Sequence, residues 1–141
     1  MNEIDLLSHV YQTAEMGRDG IATVLKRTED PALVKALNRQ ASEYRNIQNS
    51  AEQMLRDRGV QPDGVGVLAK RSAEMMGTMK TMMDHSPSKI AEMMIQGSTM
   101  GVTKSLRTIR DCKVKDGGVK DLADKLLKTE QANIEEMKGF L

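Results

Sequence analysis

Apolar residues recur at three- and four-residue spacing along most of this chain, which is the spacing of one face of an α-helix. No segment shows the alternation of apolar and polar residues that a half-buried β-strand requires. The pattern therefore predicts an all-α fold. It predicts five helices, which run from about Asp5 to Lys26, from Pro31 to about Arg58, from about Val67 to Asp84, from Pro87 to about Asp111, and from the Gly117-Gly118 break to the carboxyl terminus.

Two of the predicted helices have the same start signal. Asp30 precedes Pro31, and Ser86 precedes Pro87, so that a side chain able to cap free backbone amides is followed by a proline, which needs no amide partner in the first turn. Gly59 is expected to close the second helix. These signals fix the boundaries of the helical segments.

The third predicted helix is short and lies in the connection between two long helices. Long helices with short connections are typical of antiparallel bundles, whereas a helical connection is typical of a bundle in which the chain crosses from one end to the other. The predicted architecture is a four-helix bundle with a short extra helix in a long middle crossover. With 141 residues, the chain is expected to form a single domain over residues 1–141.

Charge and composition exclude several classes of protein. The chain has 21 Lys and Arg against 20 Asp and Glu, with two Tyr, one Phe and no Trp, which argues against nucleic acid or an anionic membrane as a partner. The lone cysteine, Cys112, cannot form an internal disulfide, and no stretch resembles a signal peptide or a membrane-spanning helix. We therefore expect a cytoplasmic protein.

Polar residues interrupt the apolar stripes in the middle of two helices. Glu130 and Asn133 both fall inside the stripe of the last helix, and the corresponding inward pair on the second helix is Tyr44 and Ile47. The alternative pair on the second helix, which begins at Glu43, projects away from the stripe. A polar group is therefore expected at the centre of the bundle.

The residues from Asp30 to Ile47, together with those from Thr129 to Met137, resemble rubrerythrin-like members of the ferritin-like superfamily, and the order of helices matches along nearly the whole chain. The resemblance implies a ferritin-like four-helix bundle of bacterial character. It also implies that the family's metal-ligand positions are occupied here by Arg18, Tyr44, Ile47, Ser98 or Gly97, Glu130 and Asn133.

The implied metal site is degenerate, because Glu130 alone keeps a ligand of the family type. A two-metal site needs several anionic oxygen or imidazole donors, and Arg18 adds a permanent positive charge. We therefore expect no metal, no cofactor and no enzymatic activity. Arg18 is predicted to pair with Glu130, with Tyr44, Ser98 and Asn133 completing the hydrogen bonds; the alternative is that Arg18 reaches solvent at the edge of the bundle.

A methionine stripe marks the third predicted helix, and soft thioethers at one-turn spacing could bind Cu(I). The favoured interpretation is an adaptable apolar face that forms a homodimer or docks another protein. The residues of this candidate interface are Met75, Met76, Met79, Met82 and Met83.

The predicted function is thus that of a non-catalytic binding or assembly protein. Two alternatives remain at this level. One is a metal protein that uses a non-standard site of Glu130, Asn133, Glu15 or Asp19, or copper at the methionines. The other is a small-molecule pocket between Gly97, Gly101 and Tyr44. His9 lies off the apolar face of the first helix and is expected to be solvated, and the cations that follow Cys112 are expected to lower the pKa of its thiol.

Overall fold

Four α-helices make up the fold in a computed structural model that describes residues 2–62 and 84–141. They are α1 (Glu3–Leu25), α2 (Pro31–Asp57), α3 (Pro87–Asp111) and α4 (Gly117–Lys138). The described residues contain no β-strand, so the predicted all-α fold is confirmed. The extra helix predicted from about Val67 to Asp84 falls, except for its last residue, on residues 63–83, which lie outside the described residues; Asp84 itself is not helical.

Capping side chains lie at the two helix starts that the sequence predicted, Asp30 and Ser86. The Asp30 carboxylate accepts from the Leu33 amide at 2.9 Å, and the Ser86 hydroxyl accepts from the Lys89 amide at 3.3 Å. The start of α1 was predicted two residues too late. Asn2 caps this helix and accepts from the amide of Asp5, whose own carboxylate accepts from the Asn2 amide.

The direction of each helix follows from contacts across the bundle. Short turns make α1 and α2 one antiparallel pair and α3 and α4 the other. His9, near the start of α1, bonds Ser105, near the end of α3. Gln40, near the start of α2, donates to Glu136, near the end of α4, at 2.7 Å. Thus α1 and α4 point one way, and α2 and α3 point the other.

This order places the end of α2 and the start of α3 at opposite ends of the bundle. The two points are separated by about the length of α3, which for 25 residues is roughly 37 Å. The helix order is up-down-down-up, not up-down-up-down. A bundle of this kind, with a middle connection that crosses its length, is what the sequence predicted.

All four helices contribute to one hydrophobic core. Leu7, Leu37, Ile90 and Leu126, one from each helix, have no exposed surface. The core is interrupted by buried polar side chains from every helix, which are Thr13, Gln40, Gln48, Ser98, Ser105, Glu130 and Asn133. These buried polar residues are the candidates for a functional site.

Candidate functional site

Four of the five residues predicted at the centre of the bundle form what we call the central polar cluster: Tyr44 from α2, Ser98 from α3, and Glu130 and Asn133 from α4. Their exposed fractions are 3%, 8%, 3% and 4%. Asn133 and Ser98 interact with the Tyr44 hydroxyl, and Glu130 is close enough to perturb its titration. The prediction of an inward polar group on α2 and α4 therefore places these side chains correctly.

Arg18 does not pair with Glu130. Its guanidinium is half-buried and donates instead to the side-chain carbonyl of Gln48, which is 6% exposed on the neighbouring helix α2. Glu130 Oε1 has no hydrogen-bond partner, and the carboxyl has no ion pair with any described residue. The predicted ion pair is therefore wrong. Helix α1 packs much more closely on α2 than on α4, and Gln48 of α2 gives Arg18 a neutral acceptor.

Burial makes Glu130 a neutral acid. It raises the pKa of this carboxyl to about 8, and no cation lowers it. At neutral pH most molecules therefore carry a protonated Glu130, which can donate a hydrogen bond.

Glycines make room for the two largest members of the cluster. A Cβ atom at Gly101 would lie 2.2 Å from Glu130 Oε2, and one at Gly17 would lie 2.7 Å from the Tyr44 ring. Gly97 has nothing within 4 Å of the corresponding position. Gly101 thus makes room for the side chain of Glu130 from α4. The carboxyl of Glu130 fills the space beside Gly101, where the sequence allowed a small-molecule pocket.

The remaining cluster members are also uncharged at neutral pH. Burial and the nearby Glu130 carboxyl raise the pKa of Tyr44, while hydrogen bonding with Asn133 and Ser98 opposes this effect. Asn133 Nδ2 has no hydrogen-bond partner. The cluster is a set of neutral donors and acceptors without an ionised base or an activated nucleophile.

These residues do not fit a metal centre. The cluster offers one protonated carboxyl, a phenol, an amide and a hydroxyl, whereas such centres need several anionic or imidazole donors. Nowhere in residues 2–62 and 84–141 do three His, Cys, Asp or Glu side chains come close enough together to hold a metal ion. The alternative site drawn from Glu130, Asn133, Glu15 or Asp19 therefore has no group of three such acidic side chains among the described residues. Glu15 is half-buried on α1, and burial raises the pKa of its carboxyl.

His9 forms a second polar contact, which the helical pattern did not predict. Its Nε2 lies 2.9 Å from Ser105 Oγ, and its Nδ1 lies 3.5 Å from Thr13 Oγ1. Burial, with a smaller effect of Lys104, lowers the pKa of the imidazole to about 4. The prediction of a solvated His9 is wrong. The sequence contained one signal for this contact. Ser105 is a small polar residue on the inner stripe of α3, and it leaves room for the His9 side chain from α1.

Cys112 is buried just after α3, at 6% exposure. Burial and the charge of Asp5 raise the pKa of its thiol, so the predicted lowering by neighbouring lysines is wrong. The methionine stripe from Met75 to Met83 lies outside the described residues, and its predicted role as an interface stays a prediction.

A groove of about 740 Å³ lies on the surface between α2 and α4. It is lined by side chains that are mostly exposed and of both charges, as expected for Glu43 and its neighbours, which project away from the core. The lining residues are Glu43, Asn46, Asp121, Asp124, Lys125, Lys128, Thr129 and Ala132.

Comparisons with known proteins identify the fold and leave the family open. No family model matches the chain, and no curated protein matches it. A solved structure, the crystal structure of a DUF305 fragment from Deinococcus radiodurans, is similar with a TM-score of 0.77 and 19% sequence identity, covering 97% of this chain and 93% of that chain. This likeness shows an all-α helical bundle. None of the described helices is long and apolar enough to cross a membrane.

Proposed function

We propose that this protein is a ferritin-like helical bundle of the bacterial cytoplasm that has lost its di-metal centre and acts as a non-catalytic binding or assembly protein. The up-down-down-up helix order supports the ferritin-like assignment, since ferritin-like folds have one long crossover connection. The residues at the implied ligand positions support the loss of the metal centre.

The side chains of the central polar cluster carry this proposal. A di-metal centre needs several anionic or imidazole ligands, whereas the cluster has one carboxyl, Glu130, which is 3% exposed beside a phenol, an amide and a hydroxyl. Ionising this carboxyl without a compensating charge is costly in the protein interior. The centre of the bundle is better suited to hydrogen bonding than to redox or hydrolytic chemistry.

Metal content tests the proposal directly. Protein purified without chelator and without a metal-affinity tag should contain far less than one equivalent of iron, manganese, zinc or copper by elemental analysis. Addition of Fe²⁺ or Mn²⁺ under anaerobic conditions should leave Tm unchanged, because an ion that binds the folded state would raise it.

Glu130→Gln is the variant that makes this test specific. Near-stoichiometric iron or manganese in the wild-type protein, lost in Glu130→Gln but kept in Glu135→Gln, would show a working metal centre and overturn the proposal. Glu135 is a suitable control because it lies on the same helix with its side chain 70% exposed. Copper that persists in both variants would instead favour the methionine stripe.

We also propose that the binding role includes self-association through the methionine stripe. Size-exclusion chromatography with light scattering should then give the mass of a homodimer. Substitution of Met79 and Met82 by Ser should produce monomers, and a wild-type protein that is monomeric at high concentration would contradict self-association.

A further inference from the structure

Two buried polar atoms of the central polar cluster have no hydrogen-bond partner among the described residues. They are Oε1 of Glu130 and Nδ2 of Asn133. Both side chains are more than nine-tenths buried, at 3% and 4% exposure. A buried donor or acceptor that stays unpaired costs its full desolvation free energy, and such groups are nearly always paired in folded proteins. Each of these two atoms therefore needs a partner.

The two unpaired atoms lie in the same part of the core. Glu130 and Asn133 are three residues apart on α4, a spacing that makes their side chains neighbours on one helix face. Both side chains also act on the Tyr44 hydroxyl, Asn133 by hydrogen bonding and Glu130 by its charge. A single small molecule can therefore reach both atoms.

The part of α3 that faces this pair has small residues. The carboxyl of Glu130 lies against Gly101, which has no side chain. Because α3 and α4 are antiparallel, Ser98, which precedes Gly101 by about one turn, lies at the level of Asn133. The wall opposite the two unpaired atoms is therefore formed by helix backbone and one hydroxyl, not by large side chains.

The chemistry of the two atoms defines what can bind between them. The amide nitrogen of Asn133 only donates, so it needs an acceptor, which a cation cannot supply. An anion would be buried without a compensating charge, because the cluster has no basic side chain and Arg18 pairs with Gln48. Water accepts and donates, and it satisfies the Glu130 oxygen whether or not that oxygen carries the proton.

We propose that the central polar cluster binds one internal water molecule between Glu130 Oε1 and Asn133 Nδ2. This inference rests on the proposed function, because it assigns a neutral ligand to the place where the resemblance implies a metal. Folded proteins contain about one buried water per 27 residues, and each typically makes about three hydrogen bonds to otherwise unpaired groups. The hydroxyl of Ser98 or of Tyr44 is available for the third bond.

The enclosure of the cluster favours water over larger neutral ligands. None of its four side chains is more than 8% exposed. A molecule that enters has to pass through transient openings between packed helices, and water is the smallest neutral molecule that both donates and accepts. The competing arrangement is a direct hydrogen bond between the Glu130 and Asn133 side chains, which would leave no place for water.

A high-resolution crystal structure of metal-free protein tests the proposal directly. It should show a density peak at about 2.7–3.2 Å from both Glu130 Oε1 and Asn133 Nδ2. In solution, oxygen-17 magnetic relaxation dispersion counts the water molecules that stay inside the protein much longer than surface waters do. Both measurements use the whole chain and need no added ligand.

Asn133→Leu and Asn49→Leu form the matched pair of variants. Asn133→Leu removes the buried donor and should lower the count of long-lived waters by about one. Asn49 is exposed on α2, so Asn49→Leu should leave the count unchanged. Glu130→Gln should also keep the water, because its side-chain carbonyl remains an acceptor. Circular dichroism shows whether each variant is folded, and if Asn133→Leu is not, the wild-type density decides.

Two results would overturn the internal water. These are density in which Glu130 and Asn133 bond each other directly, and an unchanged water count in folded Asn133→Leu. Either result in metal-free protein would reject the water site and leave the proposed function intact. A peak at the site with the anomalous signal of iron, manganese, zinc or copper would reject the proposed function together with the water.

Discussion

At the scale of single residues, the buried Glu130 and the half-buried His9 are titratable groups whose pKa values shift in opposite directions. Burial raises the pKa of Glu130 from 4.5 to about 8 and lowers that of His9 from 6.5 to about 4. In both cases the folded protein favours the neutral form, because charge is poorly solvated in the interior. Each shift makes the free energy of unfolding depend on pH. The shift of Glu130 lowers stability as the pH rises, whereas the shift of His9 lowers it as the pH falls.

Glu130→Gln is expected to stabilise the protein at neutral and alkaline pH. The folded state holds a proton on Glu130 up to about pH 8, whereas the unfolded state releases it above 4.5, so wild-type stability falls across this window. The full shift corresponds to a free energy on the order of 5 kcal/mol. Urea unfolding should show Glu130→Gln to be more stable than the wild type at pH 8 and similar to it at pH 4.

Glu135→Gln is the control for this prediction, because the side chain is 70% exposed on the same helix. It should leave the pH profile of the wild type almost unchanged. A Glu130→Gln variant whose stability runs parallel to that of the wild type at every pH would show that the Glu130 carboxyl titrates normally.

His9→Gln is expected to reduce the loss of stability in acid. Because the folded pKa of His9 lies below the unfolded value, its contribution is complete above pH 6.5 and is lost as the pH falls through about 4. Over this range the wild type should lose roughly 3 kcal/mol more than His9→Gln. Gln can still bond Ser105, and the carboxylates are common to both proteins, so the difference in their urea midpoints isolates His9. Identical acid profiles would contradict the prediction.

Sequence patterns located these polar residues better than they identified their partners. Helical periodicity placed Tyr44, Glu130 and Asn133 inside the bundle, where the structure has them buried. It could not choose between Glu130 and Gln48 as the partner of Arg18. That choice depends on the packing of one helix against its neighbours, which the periodicity of a single helix does not contain.

At the scale of the helix, the boundaries were predictable because capping is local. Asp30 and Ser86 act within three residues of their own position, so a sequence contains the whole signal. The cap at Asn2 depends on a reciprocal bond with Asp5 and was missed, since no proline marks it. The role of Gly101 was also missed, because its contact comes from a helix about 30 residues away.

Gly101→Ala and Gly97→Ala on α3 should have opposite effects. A Cβ at Gly101 would lie 2.2 Å from the Glu130 carboxyl, which has to move within a packed core, whereas a Cβ at Gly97 has nothing within 4 Å. Alanine is favoured over glycine in a helix by about 1 kcal/mol. Thermal unfolding should therefore show a lower Tm for Gly101→Ala, by an amount corresponding to roughly 1–3 kcal/mol, and an equal or higher Tm for Gly97→Ala.

Combining the glycine substitution with Glu130→Ala identifies the cause. If the clash is with the Glu130 carboxyl, Gly101→Ala should cost much less in the Glu130→Ala background than in the wild type. Additive effects of the two substitutions would place the cost of Gly101→Ala elsewhere.

At the scale of the whole molecule, a few side chains fix how the helices are arranged. Arg58 directly follows α2, and its Nε donates to Glu3 of α1 at 2.8 Å while an Nη lies 3.3 Å from Asp116. Asp116 also caps α4 by accepting from the Val119 amide. One side chain therefore joins the end of α2 to the starts of α1 and α4, at the end of the bundle opposite the start of α3.

Arg58→Met is accordingly expected to lower Tm more than Arg56→Met. Arg56 pairs within its own helix with Glu52, an exposed arrangement that contributes little, whereas Arg58 joins three helices and also donates to the Met54 carbonyl. Amide hydrogen exchange should become faster at the starts of α1 and α4 in Arg58→Met alone. High salt should reduce the difference between the variants, since both contacts are partly exposed. Equal Tm values with unchanged exchange would show that apolar packing alone holds this end of the bundle together.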